Sequence, residues 1–447
     1  MKKDDFNLSL RDFARTLSPR DYERDLIGKI YQSFNDLFGK NNCIQIGSYP
    51  RFTSITPVHD LDVLYILGDW SEKEHDPSNT LILLKNKIAS DYDNPTAYRI
   101  EVSLQTHSVT ISYLDGDDEI ISVDIVPGYI FSKNEFGQDV YKVPEILMEK
   151  HGKDLIEYYR KIQQEHEEIK WISSDPRGYI KIASEIDELT SGEFRKTVKI
   201  VKTWKNNLKE ANENLKLKSF HLEQVIVALF KNNNRLEIFD AIFEFFINLP
   251  EIINNPNNIA DRANADKFID DYLFDFTDDQ KQKIRFARDG LLIKLEKYKA
   301  SENIGTVFEV DFYQRKDLEE FIFDKGVKTL IDPNLKFKID GHVLPLPQYS
   351  SGSIRNTPQF QKGITSGRGK SRKITYRVIE NNSGASEYYW KVKNSDNSQA
   401  PRGEITINQT KNSPESTAFP SDSYVECYAV DDGVCVARNR LNVKIID

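Results

Sequence analysis

The chain has 447 residues, with 61 Lys and Arg against 70 Asp and Glu, so its formal charge is −9. Apolar residues make up 39 % and aromatic residues 11 %, which are globular values and exclude intrinsic disorder over most of the chain. The acidic balance also argues against a protein that coats duplex DNA through a general basic surface, so any phosphate chemistry must use a local site.

A long amphipathic helix is predicted near the N-terminus. Ser18 is placed to cap it, Pro19 to occupy its first position and Asp21 to complete a capping box. Apolar residues recur at helical spacing over residues 22–38, and Gly39 is placed to end the helix.

A β-rich region follows this helix. Residues 44–46 predict a short strand, and residues 60–66 alternate with the period of two that is typical of a half-buried strand. Residues 98–113 also alternate, and a Gly/Asp turn at 115–118 returns the chain into an alternating run over 119–126. Two such runs joined by this turn predict a β-hairpin.

The pattern changes twice more along the chain. Helical periodicity extends over residues 176–305, and after about residue 330 short β-branched runs alternate with Pro, Gly, Ser and Asn clusters. We therefore expect three parts: a core at 1–175 that includes the long helix, a helical lobe at 176–310, and a C-terminal all-β domain at 330–447.

Three aspartates carry the chemical signal. Asp60 and Asp62 share one face of a predicted strand, roughly 6.5–7 Å apart along it, and two carboxylates so close repel unless a cation lies between them. Asp124 lies on the opposite face of its strand from Val123 and Ile125. If the two strands are neighbours, the three carboxylates converge, and such a triad can hold two Mg²⁺ ions for in-line displacement at a phosphate.

The turn Gly47-Ser48 fits the same chemistry. Glycine lets backbone N–H groups approach phosphate oxygens, and the serine hydroxyl adds a donor. Alone, an Asp-x-Asp is usually a solvent-facing strand feature and a Gly-Ser an ordinary turn. The combination of strand, Gly-Ser, Asp-x-Asp and a further strand with a single Asp is what indicates a site.

This combination resembles the polymerase-β-like nucleotidyltransferases, and more closely the CD-NTases, the bacterial relatives of the animal cGAMP and oligoadenylate synthetases. The resemblance covers roughly residues 15–300, and its motifs are residues 46–53, 59–64, 123–128, 171–176, 199–205 and 217–223. It implies an α+β fold: a nucleotidyltransferase core with a mixed sheet, a helical lobe that closes over the nucleotide, and the C-terminal all-β domain.

The resemblance also assigns roles to the central residues of the site. Gly47 and Ser48 would contact the β- and γ-phosphates, and Asp60 and Asp62 would hold the metal ions. Asp124 would help to bind the catalytic metal and assist deprotonation of the acceptor hydroxyl.

Three further nucleotide-binding residues have competing interpretations. By resemblance Lys202 would reach the triphosphate with Ser219 beside it, but Lys202 could instead belong to a solvated helix face and Ser219 could be an N-cap. Relatives often carry a small residue or glycine before the threonine, where this chain has Pro50-Arg51-Phe52. Arg51 could be an added phosphate ligand there.

The C-terminal module resembles the adenylyl/guanylyl cyclase and SMODS-type sensor domain that follows many of these synthases. The matching stretches are residues 388–394, 400–405 and 424–428. The resemblance implies a ligand or partner at this domain, whereas the alternative is that Trp390 and Tyr428 are simply core aromatics. Residues 362–377 form a basic run, and such a run is usually a surface loop. The alternative is that it binds an anion or a nucleic acid, so the sequence does not decide whether a nucleic acid activates the protein.

The resemblance implies a Mg²⁺-dependent enzyme, with Mn²⁺ as the alternative ion, that takes nucleoside triphosphates and releases pyrophosphate. Its product would be a cyclic di- or trinucleotide or a short linear oligonucleotide, acting on a downstream effector in bacterial anti-phage defence. The alternatives are nucleotidyl transfer onto a protein or RNA, and a catalytically silent nucleotide-sensing protein.

Cysteine usage and hydropathy bear on location. Cys43, Cys427 and Cys435 are too few and too scattered for a disulfide scaffold, and no stretch approaches the ~18–20 apolar residues of a membrane span. The first ten residues also lack the apolar segment of a secretory signal. We therefore expect a cytoplasmic protein with no membrane partner.

Overall fold

The computed structural model describes residues 3–145, 171–256, 258–298, 302–316, 318–365, 371–395 and 398–446. The chain forms two compact units. The N-terminal unit comprises Arg11–Ile242 and Ile252–Phe276, and the C-terminal unit comprises Met1–Leu10, Phe243–Glu251 and Thr277–Asp447.

Helices occur in both units, and none of the described ones is long and apolar enough to cross a membrane. In chain order they are α1 (Lys3–Thr16), α2 (Asp21–Phe38), α3 (Pro77–Asp91), α4 (Pro176–Leu189), α5 (Glu193–Ala211), α6 (Ser219–Asn232), α7 (Ile238–Asn254), α8 (Asp278–Lys297) and the short α9 (Pro358–Lys362).

The N-terminal unit is built on a seven-stranded mixed sheet with the order β1-β2-β5-β4-β3, to which β6 adds beside β5 and β7 beside β6. Its strands are β1 (Cys43–Ile46), β2 (Asp60–Asp69), β3 (Arg99–Leu104), β4 (Val109–Asp115), β5 (Asp118–Lys133), β6 (Asp139–Pro144) and β7 (Trp171–Ser174). In this sheet β2 and β5 run parallel, and the other described pairs are antiparallel.

One face of this sheet packs against α2 and α3. Phe34 of α2 and Leu81 of α3 are buried with Leu61 of β2 and Val123 of β5 in a single apolar cluster. Burying side chains of this size stabilises the fold by about 1.5–3 kcal/mol each, and it fixes the alternation of both strands. The polar positions of β2 and β5 therefore lie on the other face of the sheet.

The predicted long helix begins later than expected. Arg20 is its N-cap, and the backbone N–H of Arg20 donates to Glu23 over 2.7 Å. The Ser18 hydroxyl instead accepts a hydrogen bond from Lys199 over 2.8 Å. The predicted end is confirmed: Gly39 has φ +87 and its N–H donates to the carbonyl of Asn35 over 2.9 Å.

The alternating run over residues 98–113 is two strands rather than one. The N–H of Gln105 donates to the carbonyl of Ser108 over 2.8 Å, so β3 turns back on β4 at this point. The period of two is the same on both sides of the turn, although the apolar positions shift from even numbers (Ile100, Val102, Leu104) to odd numbers (Val109, Ile111, Tyr113), and no Gly or Pro marks the turn. The hairpin of β4 and β5 around the turn at 115–118 is confirmed.

The C-terminal unit holds two sheets. One has the order β10-β19-β18-β15-β16 with β13 beside β19, and the other has the order β12-β11-β14-β17. The strands of this unit are β10 (Lys328–Thr329), β11 (Phe337–Val343), β12 (Gly352–Ser353), β13 (Ile364–Thr365), β14 (Lys373–Asn381), β15 (Glu387–Lys393), β16 (Ile405–Ile407), β17 (Glu415–Ser416), β18 (Ser421–Asp431) and β19 (Val434–Ile446). The small pair β8 (Ala260–Asp261) and β9 (Asn264–Phe268) belongs to the N-terminal unit.

The α+β class and the β-rich C-terminal region are thus confirmed, although α9 interrupts the predicted all-β domain. Trp390 and Tyr428 are both buried in apolar clusters, which agrees with their interpretation as core aromatics. In the basic run, residues 366–370 lie outside the described residues, and Arg372 is buried rather than exposed. The boundaries of the three predicted parts stay a prediction.

Candidate active site

The three aspartates lie on the face of the sheet opposite the α2 and α3 core. In the parallel pairing of β2 with β5, Asp62 lies directly beside Asp124, and Asp60 precedes Asp62 by two residues on the same face. The neighbouring residues Leu61 and Val123 are buried on the other face. The two strands that carry the aspartates are therefore neighbours, as the predicted convergence of the carboxylates requires.

The electrostatics of this face are those of an anionic cluster that Arg51 and Lys202 compensate only in part. Burial, followed by the charges of Asp60 and Asp124, raises the pKa of Asp62 from 3.8 to about 7. The hydroxyl of Thr110 donates to Oδ1 of Asp124 and fixes the orientation of that carboxylate. Negative charge is thus concentrated where a cation would stabilise it.

The donor set fits a hard divalent cation. Three carboxylates offer only oxygen ligands, which Mg²⁺ prefers, and repulsion from Asp60 and Asp124 adds to burial in raising the pKa of Asp62. Among the described residues, no group of three or more His, Cys, Asp and Glu side chains, the three aspartates included, is arranged so that it could already hold a metal ion, and the convergence of the aspartates rests on the strand register.

The turn after β1 brings backbone against this cluster. Gly47 has φ +77, and a Cβ atom built on it would lie 1.8 Å from Oδ2 of Asp62. Glycine is therefore required at this position for its conformation and for its lack of a side chain. The turn is closed by Thr53, whose N–H donates to the carbonyl of Ser48 over 3.1 Å.

A cavity of about 900 Å³ lies above the turn and the carboxylates. Seven of the eight predicted site residues line it: Gly47, Ser48, Arg51, Asp60, Asp62, Lys202 and Ser219. The eighth, Asp124, lines an adjoining cavity of about 560 Å³ that shares Asp62. The structure thus brings all the predicted residues to one region of the N-terminal unit.

Arg51 and Lys202 meet at a buried glutamate, Glu223 of α6. Nε of Arg51 donates to Glu223 over 2.6 Å, and Nζ of Lys202 donates to Glu223 over 3.0 Å. Thr53 completes the group, since its hydroxyl donates to Glu223 over 2.9 Å and its carbonyl accepts from Lys202 over 3.1 Å. All four side chains are buried, so both cations are engaged with Glu223 behind the turn.

The charges of this group set its protonation. Burial alone would raise the pKa of Glu223, but attraction to Lys202 and Arg51 outweighs it and lowers the pKa from 4.5 to about 2. Glu223 is the residue that the sequence interpretation missed as a participant. Its signal was an acid that, with the neighbouring Gln224, interrupts the apolar run 222–230 of α6.

Two residues near this group, Phe52 and Ser219, differ from what the sequence predicts. Phe52 has φ +59, a left-handed conformation that favours glycine, and the guanidinium of Arg195 lies 4.7 Å from the centre of its ring. Ser219 is the first residue of α6, and the N-cap position belongs to Lys218. The N-cap interpretation of Ser219 is therefore wrong by one residue, and its hydroxyl remains at the cavity.

Two sequence comparisons find similar proteins. Residues 317–446 match the family described as the adenylyl/guanylyl and SMODS C-terminal sensor domain. A probable cyclic nucleotide synthase of Bacillus cereus is 22 % identical over 227 residues, which cover 46 % of this chain. The match spans 60 % of the length of that relative.

Solved structures give weaker likenesses. CdnC of E. coli MS115-1 with ATP is 17 % identical with a TM-score of 0.47, covering 69 % of this chain and 99 % of that chain. The apo form of Vibrio cholerae DncV is 14 % identical with a TM-score of 0.43, covering 66 % of this chain and 77 % of that chain. The two sequence matches confirm the resemblance to the CD-NTases and to their sensor domain.

Proposed function

We propose that this relative of the CD-NTases is a nucleotidyltransferase that joins nucleoside triphosphates into a cyclic di- or trinucleotide or a short linear oligonucleotide. The single observation that carries the proposal is the pairing of Asp62 with Asp124 across two parallel strands, with Gly47 packed against the Asp62 carboxylate. Its product would act as a second messenger on a downstream effector in bacterial anti-phage defence. Such a role suits a cytoplasmic enzyme.

Asp60, Asp62 and Asp124 would hold the metal, for which we propose two Mg²⁺ ions with Mn²⁺ as a substitute. Bound Mg²⁺ neutralises phosphate charge and makes a ribose hydroxyl more acidic. Asp124 is oriented by Thr110 to take the proton of that hydroxyl. The hydroxyl oxygen bonds to the α-phosphorus, the bond from that phosphorus to the bridging oxygen breaks, and pyrophosphate leaves with the electron pair.

The other residues would bind and orient the nucleotide. The backbone at Gly47 and the hydroxyl of Ser48 would donate to the β- and γ-phosphates. Arg51 and Lys202 lie behind the turn, where their charges lower the pKa of Asp62 and partly offset its burial. We propose that they favour phosphate binding from this position and that Ser219 contacts the triphosphate from α6.

The test is synthesis from labelled ATP, GTP, CTP, UTP and dATP in the presence of Mg²⁺. The wild-type protein should release pyrophosphate and give a phosphatase-resistant product if cyclic, or a ladder of oligomers if linear. The double variant Asp60→Asn/Asp62→Asn should lose activity by roughly 10³-fold or more, because both metal-binding charges disappear.

The matched control is Asp69→Asn, which removes an exposed carboxylate from the far end of the same strand β2. It should keep wild-type activity. Equal activity of the wild-type protein and the double variant would overturn the proposed chemistry. A labelled protein or RNA in place of a small product would identify transfer onto a macromolecule, and tight nucleotide binding without turnover would identify a silent sensor.

For the C-terminal unit we propose the sensing of a ligand or partner, as the sensor-domain match implies. Trp390 and Tyr428 are buried, so they would act by holding the sheet together rather than by contacting the ligand. Exposed residues of the unit would make that contact.

A further inference from the structure

Three lysines follow one face of α5 at the cavity. Lys202, Lys205 and Lys209 are spaced by three and four residues, which places them in a line along the helix, and all three line the cavity with Asp60 and Asp62. The ammonium group of Lys202 is bound by Glu223 and Thr53. The two lysines that follow have different surroundings.

Lys205 is a half-buried cation without a counter-ion in the described part of the chain. Its Nζ donates to the amide oxygen of Asn206 over 3.2 Å, and no described carboxylate lies within 4.0 Å of it. Burial, followed by repulsion from Lys209 and Lys202, lowers its pKa, while Asp60 is the only attractive charge of consequence. Lys209 is exposed at the same cavity.

A solvated lysine would not normally be kept half-buried between two like charges, because partial desolvation and repulsion both raise its free energy. An anion in the cavity would remove both costs. Asp60 and Asp62 occupy the sheet side of the cavity, and the three lysines occupy the α5 side together with the exposed Glu210. A polyphosphate in the cavity would meet metal ions held by Asp60 and Asp62 on one side and the ammonium groups of α5 on the other.

We infer that Lys205 binds the terminal phosphates of the triphosphate, and that Lys209 attracts the nucleotide from the edge of the cavity. The inference rests on the proposed function and assigns a role to Lys205, which lies in the motif 199–205 but received no role there, whereas Lys202 did. Lys202 then maintains the buried group around Glu223, and Lys205 supplies the free donor. An ammonium group is suited to this contact because it is a compact charge with three N–H donors.

The test uses inorganic tripolyphosphate with Mg²⁺ in fixed excess, titrated calorimetrically into the full chain, so that neither base choice nor turnover enters. Lys205→Gln should weaken binding about tenfold, the size expected for losing one charge-assisted hydrogen bond. Lys205→Arg should keep most of the affinity because the charge remains. Lys231→Gln is the matched control: it removes one exposed lysine of α6 that does not line the cavity, and it should bind as the wild type does.

Two outcomes would overturn the inference. One is wild-type affinity in Lys205→Gln with unchanged circular dichroism, and the other is an equal loss in Lys231→Gln, which would show a general effect of net charge. Synthesis assays separate this result from the proposed function. If Lys205→Gln makes product with the wild-type KM for nucleotide, the assignment of Lys205 is refuted and the proposed function is not. If tripolyphosphate binding depends on Lys205 but the wild-type protein makes no product, the proposed function is refuted and the anion site remains.

Discussion

At Gly47 the backbone and a carboxylate come closer than a side chain permits. The 1.8 Å between a built Cβ and Oδ2 of Asp62 is shorter than any non-bonded contact, so Asp62 would have to move. The φ of +77 adds a second requirement for glycine, since L-residues reach that region at a cost. The residue type here is therefore set by the position of Asp62 as well as by the turn.

We predict that Gly47→Ala loses at least about 100-fold in nucleotide synthesis, because displacing Asp62 moves one of the proposed metal ligands by an ångström or more. Gly137→Ala provides the control for backbone strain: Gly137 has φ +70 but nothing within 4 Å of a built Cβ. The control should lose stability by about 1 kcal/mol and keep its activity. Equal activities of the two variants would show that the clash with Asp62 is unimportant.

At the scale of elements, α6 is attached to its surroundings through Glu223. This one carboxylate accepts hydrogen bonds from Arg51 and Thr53 in the segment after β1 and from Lys202 of α5. Two cations and one anion are buried together, so the group is stable only while all its members are present. The helices on one side of the cavity are thereby connected to the Gly47-Ser48 turn on the other.

We predict that Glu223→Gln lowers the free energy of unfolding by about 3–5 kcal/mol, because it leaves Arg51 and Lys202 buried without their counter-ion. Urea unfolding followed by circular dichroism measures the loss. Glu213→Gln, an exposed residue before α6, should stay within about 0.5 kcal/mol of the wild type. Similar losses in both variants would exclude a special role for the buried group.

The pH dependence gives a second measurement on the same variant. The pKa of Glu223 is about 2 in the folded chain against an ordinary value of 4.5, so its stabilising contribution is complete above pH 4.5 and is lost as the pH falls toward 2. The difference in unfolding free energy between the wild type and Glu223→Gln should therefore narrow from pH 5 to pH 3. A difference that stays constant over this range would contradict the assignment.

The elements that sequence patterns predicted share one property. The alternation of β2 and β5 and the apolar stripe of α2 face a single core, so burial imposes a period on the sequence. The start of α2 and the turn between β3 and β4 were mispredicted, because each depends on one hydrogen bond rather than on a period. α1 and α3 were not predicted at all.

At the scale of the molecule, the C-terminal unit includes the helix that precedes the sensor-domain match. Arg438 of β19 donates to Glu296 of α8, and it lies 3.7 Å from Glu426 of β18. Burial raises the pKa of Glu296 although Arg438 opposes this effect. Two largely buried carboxylates thus share one arginine, which attaches α8 to the sheet.

We predict that Arg438→Gln lowers the melting temperature of the C-terminal unit by several degrees, corresponding to about 3 kcal/mol for an unpaired buried charge. Arg440→Gln is the control on the same strand. Arg440 also contacts Glu426, at 3.3 Å, but its side chain is 51 % exposed against 26 % for Arg438, so its loss should cost less than about 1 kcal/mol. Differential scanning calorimetry measures the melting temperatures of both variants. An equal decrease in the two melting temperatures would contradict the prediction.

The sequence by itself determined the α+β class, the three candidate metal-binding aspartates and the Gly47-Ser48 turn. The strands and the face on which their aspartates lie follow from a period of two, and the turn follows from the properties of glycine. Both can be recognised from residues that are close together in the sequence. Only the tertiary structure decided that Arg51 and Lys202 are engaged with Glu223 while Lys205 has no described counter-ion. Arg51 and Glu223 are 172 residues apart, and no local period records a contact over that separation. Which cation is free to bind phosphate depends on which one the fold has already paired.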